Sequence, residues 1–272
     1  MPLDDAAIFP PGDQPLHEAT AAYGARTPED GAELVGTFVL KDTDLPLVRG
    51  FGGPLSVVVT GGAGQIAGPA GLCSKLGLDL AGVEVALRDP DDLVGNARRV
   101  VAAVEAARSE GVLEDQVPIN VELPHVANTS SWLAAADEVA AAAHRLKFRT
   151  GGIDAAAFPP AHALAHWIDA ALDRETPFKC TAGLHNAVRH TGEDGFEHHG
   201  FLNVLVATRL LFDGSSVEEA IDVLEERDAS ALVSRVGELD LAGARRWFTS
   251  FGSCSITEPH HDLTTLNLLE TR

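Results

Sequence analysis

Two strand-like runs in the middle of the chain carry charge on one face only, and a helical run joins them. In residues 146–150 (LKFRT), Lys147 and Arg149 alternate with Leu146 and Phe148. In residues 178–182 (FKCTA), Lys179 and Thr181 alternate with Phe178 and Cys180. Strands connected through a helix normally run parallel, and parallel strands covered by helices are apolar on both faces. A second, charged face calls for a sheet that closes on itself, so that the charges line an interior.

The rest of the chain repeats this pattern. Strand-like runs fall near residues 1–3, 36–40, 55–60, 83–88, 117–123, 146–150, 178–182 and 247–251, with helical sequence between most of them. A strand about every 30 residues is the βα rhythm. Eight such units in about 250 residues predict an α/β fold, a single (β/α)8 TIM-type barrel or an irregular relative of it, as one domain over residues 1–272. Alternation then sorts the residues. Val83, Val85, Leu87, Ile119, Val121 and Leu123 face helices, while Glu84, Ala86, Arg88, Asn120 and Glu122 face inward.

Local signals mark the helices. Asp89-Pro90 predicts one start, Ser130 or Ser131 another, and Ser216 with Glu219 forms a capping box before residues 217–227. Residues 196–212 read as one helix, residues 240–246 as a further one, and the tail from Asp262 as short helix or coil. The glycine-rich run 61–68 (GGAGQIAG) offers a dinucleotide-loop alternative with Asp89 as its acidic partner, at odds with the barrel rhythm.

The inward charges cluster near strand ends. In a parallel barrel those ends lie on one side, where barrel active sites form. Glu122, Lys147, Arg149 and Lys179 are therefore expected in one pocket, with excess positive charge that suits an anion. A lysine desolvated among other cations has a lowered pKa and can act as a Schiff-base nucleophile or a base, which makes Lys147 and Lys179 the candidate reactive amines. Glu122 and His185 are the accompanying candidates for proton transfer. Thr150, Gly151, Thr181 and Gly183 sit in loops that either cradle an anion through backbone N–H groups or simply make tight turns. Arg189, His199, Asn203 and Asp5 complete the expected substrate contacts. The bland alternative is a set of buried salt bridges, such as Glu122 with Lys147, closing the lumen.

The bulk composition bounds the partners. A net charge of −20 argues against nucleic acid and anionic membranes, whose phosphates would be repelled. Three cysteines without a CxxC pattern predict reduced thiols and a cytoplasmic protein. The opening MPLDDAAIFPPGD does not read as a signal peptide, and no apolar run approaches the ~20 residues of a membrane span. Self-association through the outer helices of a barrel is an expected form of partnership.

The segments KFRTGG and KCTAG resemble the lysine-bearing strands of class I aldolases such as deoxyribose-phosphate aldolase. That resemblance implies a Schiff-base lysine on strand six, hence Lys147 if eight strands are present and Lys179 if the first is missing. The segments DDAAIFPPG, LKFRTGG, FKCTAGLHNAVRH and HHGFLN together resemble a bacterial protein family that brings no established activity with it. The expected function is a cytoplasmic enzyme of the lyase (aldolase) or isomerase type. It would act on a small anionic carbonyl compound, phosphate or carboxylate, without a cofactor. One alternative is metal-assisted hydrolysis or lyase chemistry, with a divalent ion held by His185, His199 and Glu122 or by histidines with Asp5. Another is a non-catalytic small-anion binder.

Overall fold

The computed structural model describes residues 3–126 and 128–269. Eight parallel strands close into a barrel: β1 (Leu3–Asp5), β2 (Val35–Lys41), β3 (Leu55–Val59), β4 (Leu80–Ala86), β5 (Ile119–Glu122), β6 (Arg145–Arg149), β7 (Phe178–Thr181) and β10 (Phe248–Ser253). The last strand lies between β7 and β1 and completes the ring. The first strand was expected over residues 1–3, of which 1 and 2 lie outside the described residues; the strand extends on through Asp4 and Asp5.

The outward faces are apolar and packed under helices. Val83, Val85, Ile119, Val121, Leu146, Phe148, Phe178 and Cys180 are all buried, in one continuous core with α3 (Leu93–Ser109), α4 (Ser130–Ala141) and α5 (Ala161–Asp173). Aromatic rings tie neighbouring strands together. Phe178 stacks 5.3 Å from Phe248 and lies 5.2 Å from Phe148, which itself packs 5.8 Å from Trp167 of α5. A smaller cluster under α1 (Leu16–Ala25) and α2 (Ala67–Leu76) covers β2 and β3 with Phe38, Leu40, Leu55 and Val57. No helix among the described residues is long and apolar enough to cross a membrane.

Regularity breaks at two places. Between β2 and β3 only a 3-10 segment, Asp42–Leu47, replaces the helix of a βα unit. After β7 the chain makes a two-stranded hairpin, β8 (His190–Thr191) with β9 (Glu197–His198), and then four helices before β10. These are α6 (Phe201–Phe212), α7 (Val217–Glu225), α8 (Ala229–Glu238) and α9 (Leu241–Trp247); α10 (Thr257–Thr265) follows β10. The single helix expected over 196–212 is thus shortened by β9, because Gly195, at φ +79°, turns the chain back on itself. α8 has no counterpart in the sequence reading.

Caps also moved. Asp92, not Asp89, caps α3 by accepting from the Gly95 N–H, and Thr129 rather than Ser130 or Ser131 caps α4 through the Trp132 N–H. The capping box of Ser216 and Glu219 forms as its spacing requires. The closed parallel ring leaves no dinucleotide crevice after β3. Residues 61–68 instead lead through a short 3-10 turn into α2.

Candidate active site in the barrel lumen

Closure turns the second face of each strand inward and converts sequence alternation into a charged layer. The register aligns Glu122 with Lys147, Lys147 with Lys179, and Lys179 with Ser250 across four adjacent strands. Asp4 and Glu84 enter the same layer from β1 and β4. Glu84 is the hub. Its Oε2 lies 2.7 Å from Lys147 Nζ, and its Oε1 accepts from Lys179 Nζ at 2.7 Å and from Ser56 Oγ at 2.7 Å. Lys147 Nζ also meets Glu122 Oε2 at 2.7 Å. Lys179 Nζ donates to Asp4 Oδ2 at 2.7 Å, and Asp4 further accepts from the Ser250 and Thr37 hydroxyls. Arg149 donates its Nε–H to Glu122 Oε1 at 2.8 Å.

The electrostatics reverse one expectation. The lysines do not sit among cations; each ammonium lies between two carboxylates. Burial disfavours the charge of Lys147, but Glu122 and Glu84 more than offset that, so its pKa lies above the usual lysine value. Lys179 is raised likewise, its burial outweighed by Asp4 and Glu84. Burial pushes Glu84 upward, yet Lys147 and Lys179 hold it well below the ordinary carboxylate range. Glu122 is lowered in the same way by Lys147 and Arg149 against its own burial. Three carboxylates (Asp4, Glu84, Glu122) face three cations (Lys147, Lys179, Arg149), so the expected positive excess in the lumen is absent.

A cavity of about 450 Å³ opens above this layer at the C-terminal mouth of the strands. Glu84, Glu122, Lys147 and Arg149 form its charged wall, and Val39 and Val58 of β2 and β3 its apolar one. Arg88 and Asp154 stand at the mouth, and Thr181 and His185 line it after β7. Lys179 is not among the lining residues; it lies beneath, locked between Asp4 and Glu84.

Several expected contacts lie elsewhere. The Thr150 hydroxyl donates to the Ala182 carbonyl at 2.5 Å and is fully buried. A Cβ on Gly151 would stand 2.7 Å from Gly183 Cα, so the glycines of the two loops let their backbones touch, as tight turns do. Gly152 and Ala182 face the cavity in place of Gly151 and Gly183. Asp5 points out of the lumen, where it accepts from the Ala7 N–H and from Arg26 Nη2 at 2.9 Å. Asn203 is buried in α6, accepting from the Arg189 N–H and donating to the Val223 and Glu226 carbonyls. His199 is wedged between the Pro159 carbonyl, 2.7 Å from its Nε2, and Arg189. Burial pulls its pKa down to about 4, the Pro159 hydrogen bond only partly opposing this, with Arg189 adding to the fall. His185, His199 and Glu122 consequently do not converge, and no group of three His, Cys, Asp or Glu side chains among the described residues is arranged to hold a metal ion.

The sequence reading omitted Asp4 and Glu84 from the site. The signal for Glu84 was its inward place in VEVALR; that for Asp4 was its place between two outward-facing neighbours, Leu3 in the core and Asp5 on Arg26.

No family model and no curated protein matches the chain. Among solved structures, a tetrameric deoxyribose phosphate aldolase from Aeropyrum pernix superposes with a TM-score of 0.54 at 12% identity, covering 97% of this chain and 90% of the aldolase. A dihydropteroate synthase from Xanthomonas albilineans aligns over 98% of this chain and 91% of its own at 13% identity, with a TM-score of 0.38. The aldolase and this chain share the closed parallel barrel.

Proposed function

We propose that the chain is a lyase or isomerase that forms a Schiff base between Lys147 and a small carbonyl compound bearing a carboxylate or phosphate. The observation that carries this reading is the place of Lys147. It is the lumen lysine that lines the cavity, it lies on the sixth barrel strand, and it has a carboxylate 2.7 Å away on each side. The sixth strand is also where the aldolases resembled by KFRTGG carry their reactive lysine.

The raised pKa of Lys147 slows formation of the neutral amine but does not oppose the net conversion. The net step converts an ammonium and a carbonyl into an iminium and water, so positive charge remains at the same nitrogen. Carboxylates that stabilise the ammonium therefore stabilise the iminium as well. The nucleophilic form requires a proton to leave Nζ first, and Glu122, which borders the cavity, accepts it. The neutral amine adds to the carbonyl carbon, and Glu122 returns the proton to the carbinolamine oxygen as water departs. Lys179 stays protonated beneath the site and keeps Glu84 ionised. Arg149 supports the anionic part of the assignment: only its Nε–H is engaged among the described residues, which leaves both Nη groups for a ligand.

The test is borohydride reduction in the presence of acetaldehyde, glycolaldehyde phosphate or pyruvate, followed by peptide mapping. A reduced adduct on Lys147 supports the reading. No adduct with any carbonyl of the panel rejects it. A second reading, a non-catalytic small-anion binder, draws on the full pairing of the buried charges, which suits a fixed receptor. Thermal stabilisation by phosphate or carboxylate ligands without adduct or turnover would favour it.

A further inference from the structure

At the mouth of the same cavity a thiol, an imidazole and a carboxylate stand side by side. Cys254 follows β10, His185 follows β7, and Glu258 opens α10, so three separate elements bring them together. Cys254 Sγ lies 3.4 Å from His185 Nε2, and His185 Nδ1 lies 2.8 Å from Glu258 Oε2. A carboxylate accepts and does not donate when ionised, so Glu258 fixes the proton on Nδ1 and leaves Nε2 unprotonated. Sγ also lies 3.9 Å from Nδ1, so the thiol rests against the ring face and reaches the Nε2 lone pair by a turn of its side chain. Cys254 and His185 both line the cavity, while Glu258 stays half-exposed at the rim. The chain packs closely against the Cys254 Cβ: a Cβ on Gly12 would approach it to 2.9 Å.

We infer that Cys254 is a second nucleophile of the barrel mouth, with His185 as its general base and Glu258 as a positioning residue, and that it adds to small aldehydes. In the step, the Cys254 side chain turns toward the imidazole plane, and the Sγ–H proton passes to His185 Nε2 as sulfur bonds to the carbonyl carbon. The resulting alkoxide takes that proton back, giving a neutral thiohemiacetal with no oxidant or leaving group. The base is needed because the resting thiol is a weak acid. Burial raises its pKa to about 11, with Gly12 easing the rise and the charges of Glu258 and Asp13 adding to it. The thiol is thus unlike a preformed thiolate, and its reactivity depends on the imidazole. This inference shares the carbonyl class of the proposed function but does not require an adduct on Lys147.

The experiment is alkylation of the intact folded protein by iodoacetamide across pH 6 to 10, read by mass spectrometry at each cysteine. Cys73 and Cys180, both buried, serve as internal controls. At pH 7.5, Cys254 should react at least tenfold faster than in His185→Gln, and Glu258→Gln should fall between them. The wild-type rate should show a shoulder well below the pH at which the thiol itself ionises, and H185Q should lose that shoulder, a change that mere packing damage does not produce. Should H185Q fail to fold, the shoulder in the wild-type profile alone decides. Equal rates in wild type and both folded variants, or a wild-type profile with no shoulder, overturn the inference. Acetaldehyde should slow the alkylation several-fold in wild type and also in Lys147→Arg. Protection that disappears in folded K147R would assign the adduct to the lysine and overturn the thiol's part. The failure of lysine trapping described above would leave these rates untouched, so the two readings fail separately.

Discussion

Lys147 Nζ and Glu84 Oε2 are 2.7 Å apart, and both side chains are almost completely buried. Glu84 is simultaneously paired with Lys179, so one carboxylate neutralises half of each of two buried cations. Removing its charge leaves each lysine with a single partner in a poorly hydrated lumen. Breaking a buried pair this way typically costs about 3–5 kcal/mol. Glu84→Gln should lose stability of that order in urea unfolding, whereas a change under about 1 kcal/mol would show that water reaches the lysines freely.

The two lysines should separate chemically. Lys147 borders the cavity and Lys179 does not, so borohydride adducts should map to Lys147. Lys147→Arg should abolish trapping while keeping a cation between Glu84 and Glu122. Arg149→Met removes a partly exposed partner of Glu122, and should weaken binding of anionic carbonyl compounds about tenfold with a stability loss under about 1 kcal/mol. Mapping of the adduct to Lys179 would contradict the assignment.

Stability should have a plateau in pH with different causes at its two edges. His144 and His199 are buried with pKa values of about 4, the first through burial and then Arg108, the second chiefly through burial. Both stay neutral in the fold, so their contribution is present above the unfolded histidine pKa of about 6.5 and falls between there and about 4. Each loses about 1.4 kcal/mol per pH unit in that window. Glu84 and Glu122, depressed in the fold, add a further loss starting below about 4.3. The raised lysines act oppositely: their stabilisation is complete below about 10.4 and is lost above it. Thermal midpoints measured from pH 3 to 11 check both edges, and His199→Gln should flatten the limb between pH 6.5 and 4.

Gly183 adopts φ +77°, and a Cβ there would meet the Thr150 carbonyl oxygen at 2.8 Å. The left-handed backbone alone costs roughly 1–2 kcal/mol for an alanine. Gly183→Ala should exceed that in chemical denaturation, because the loop after β6 must also move. A value near zero would mean the two loops part easily.

The ring of strands was legible because a βα rhythm and a period-2 face survive in short segments. VEVALR, VPINVEL, LKFRT and FKCTA each sort correctly into core and lumen. The sign of the lumen was not legible. Lys147 and Lys179 were readable as inward, and so was the salt bridge of Lys147 with Glu122 on the preceding strand, but the other acid partners come from strands far off in sequence: Glu84 pairs with Lys179 at a separation of 95 residues. Pairing at that range depends on ring closure, which alternation within one strand does not specify. The region after β7 failed for a local reason. Apolar residues from Phe196 onward imitate a helix, while His190 and His198 pair across a hairpin set by Gly195. Arg189, His199 and Asn203 are polar for packing reasons that only the fold reveals: Asn203 serves the Val223 and Glu226 carbonyls, His199 meets the Pro159 carbonyl, and the Arg189 side chain reaches His199 and Glu197.

The order of the lumen charges along the chain has a consequence for synthesis. Asp4, Glu84 and Glu122 all leave the ribosome before Lys147 and Lys179, and Asp4 precedes its partner Lys179 by 175 residues. At translation rates of about 5–20 residues per second, that interval lasts roughly 9–35 s. During it the nascent barrel holds carboxylates that cannot be dehydrated without their cations. The early strands should therefore remain an open, hydrated arc, and drying of the interior should begin only when the seventh strand arrives.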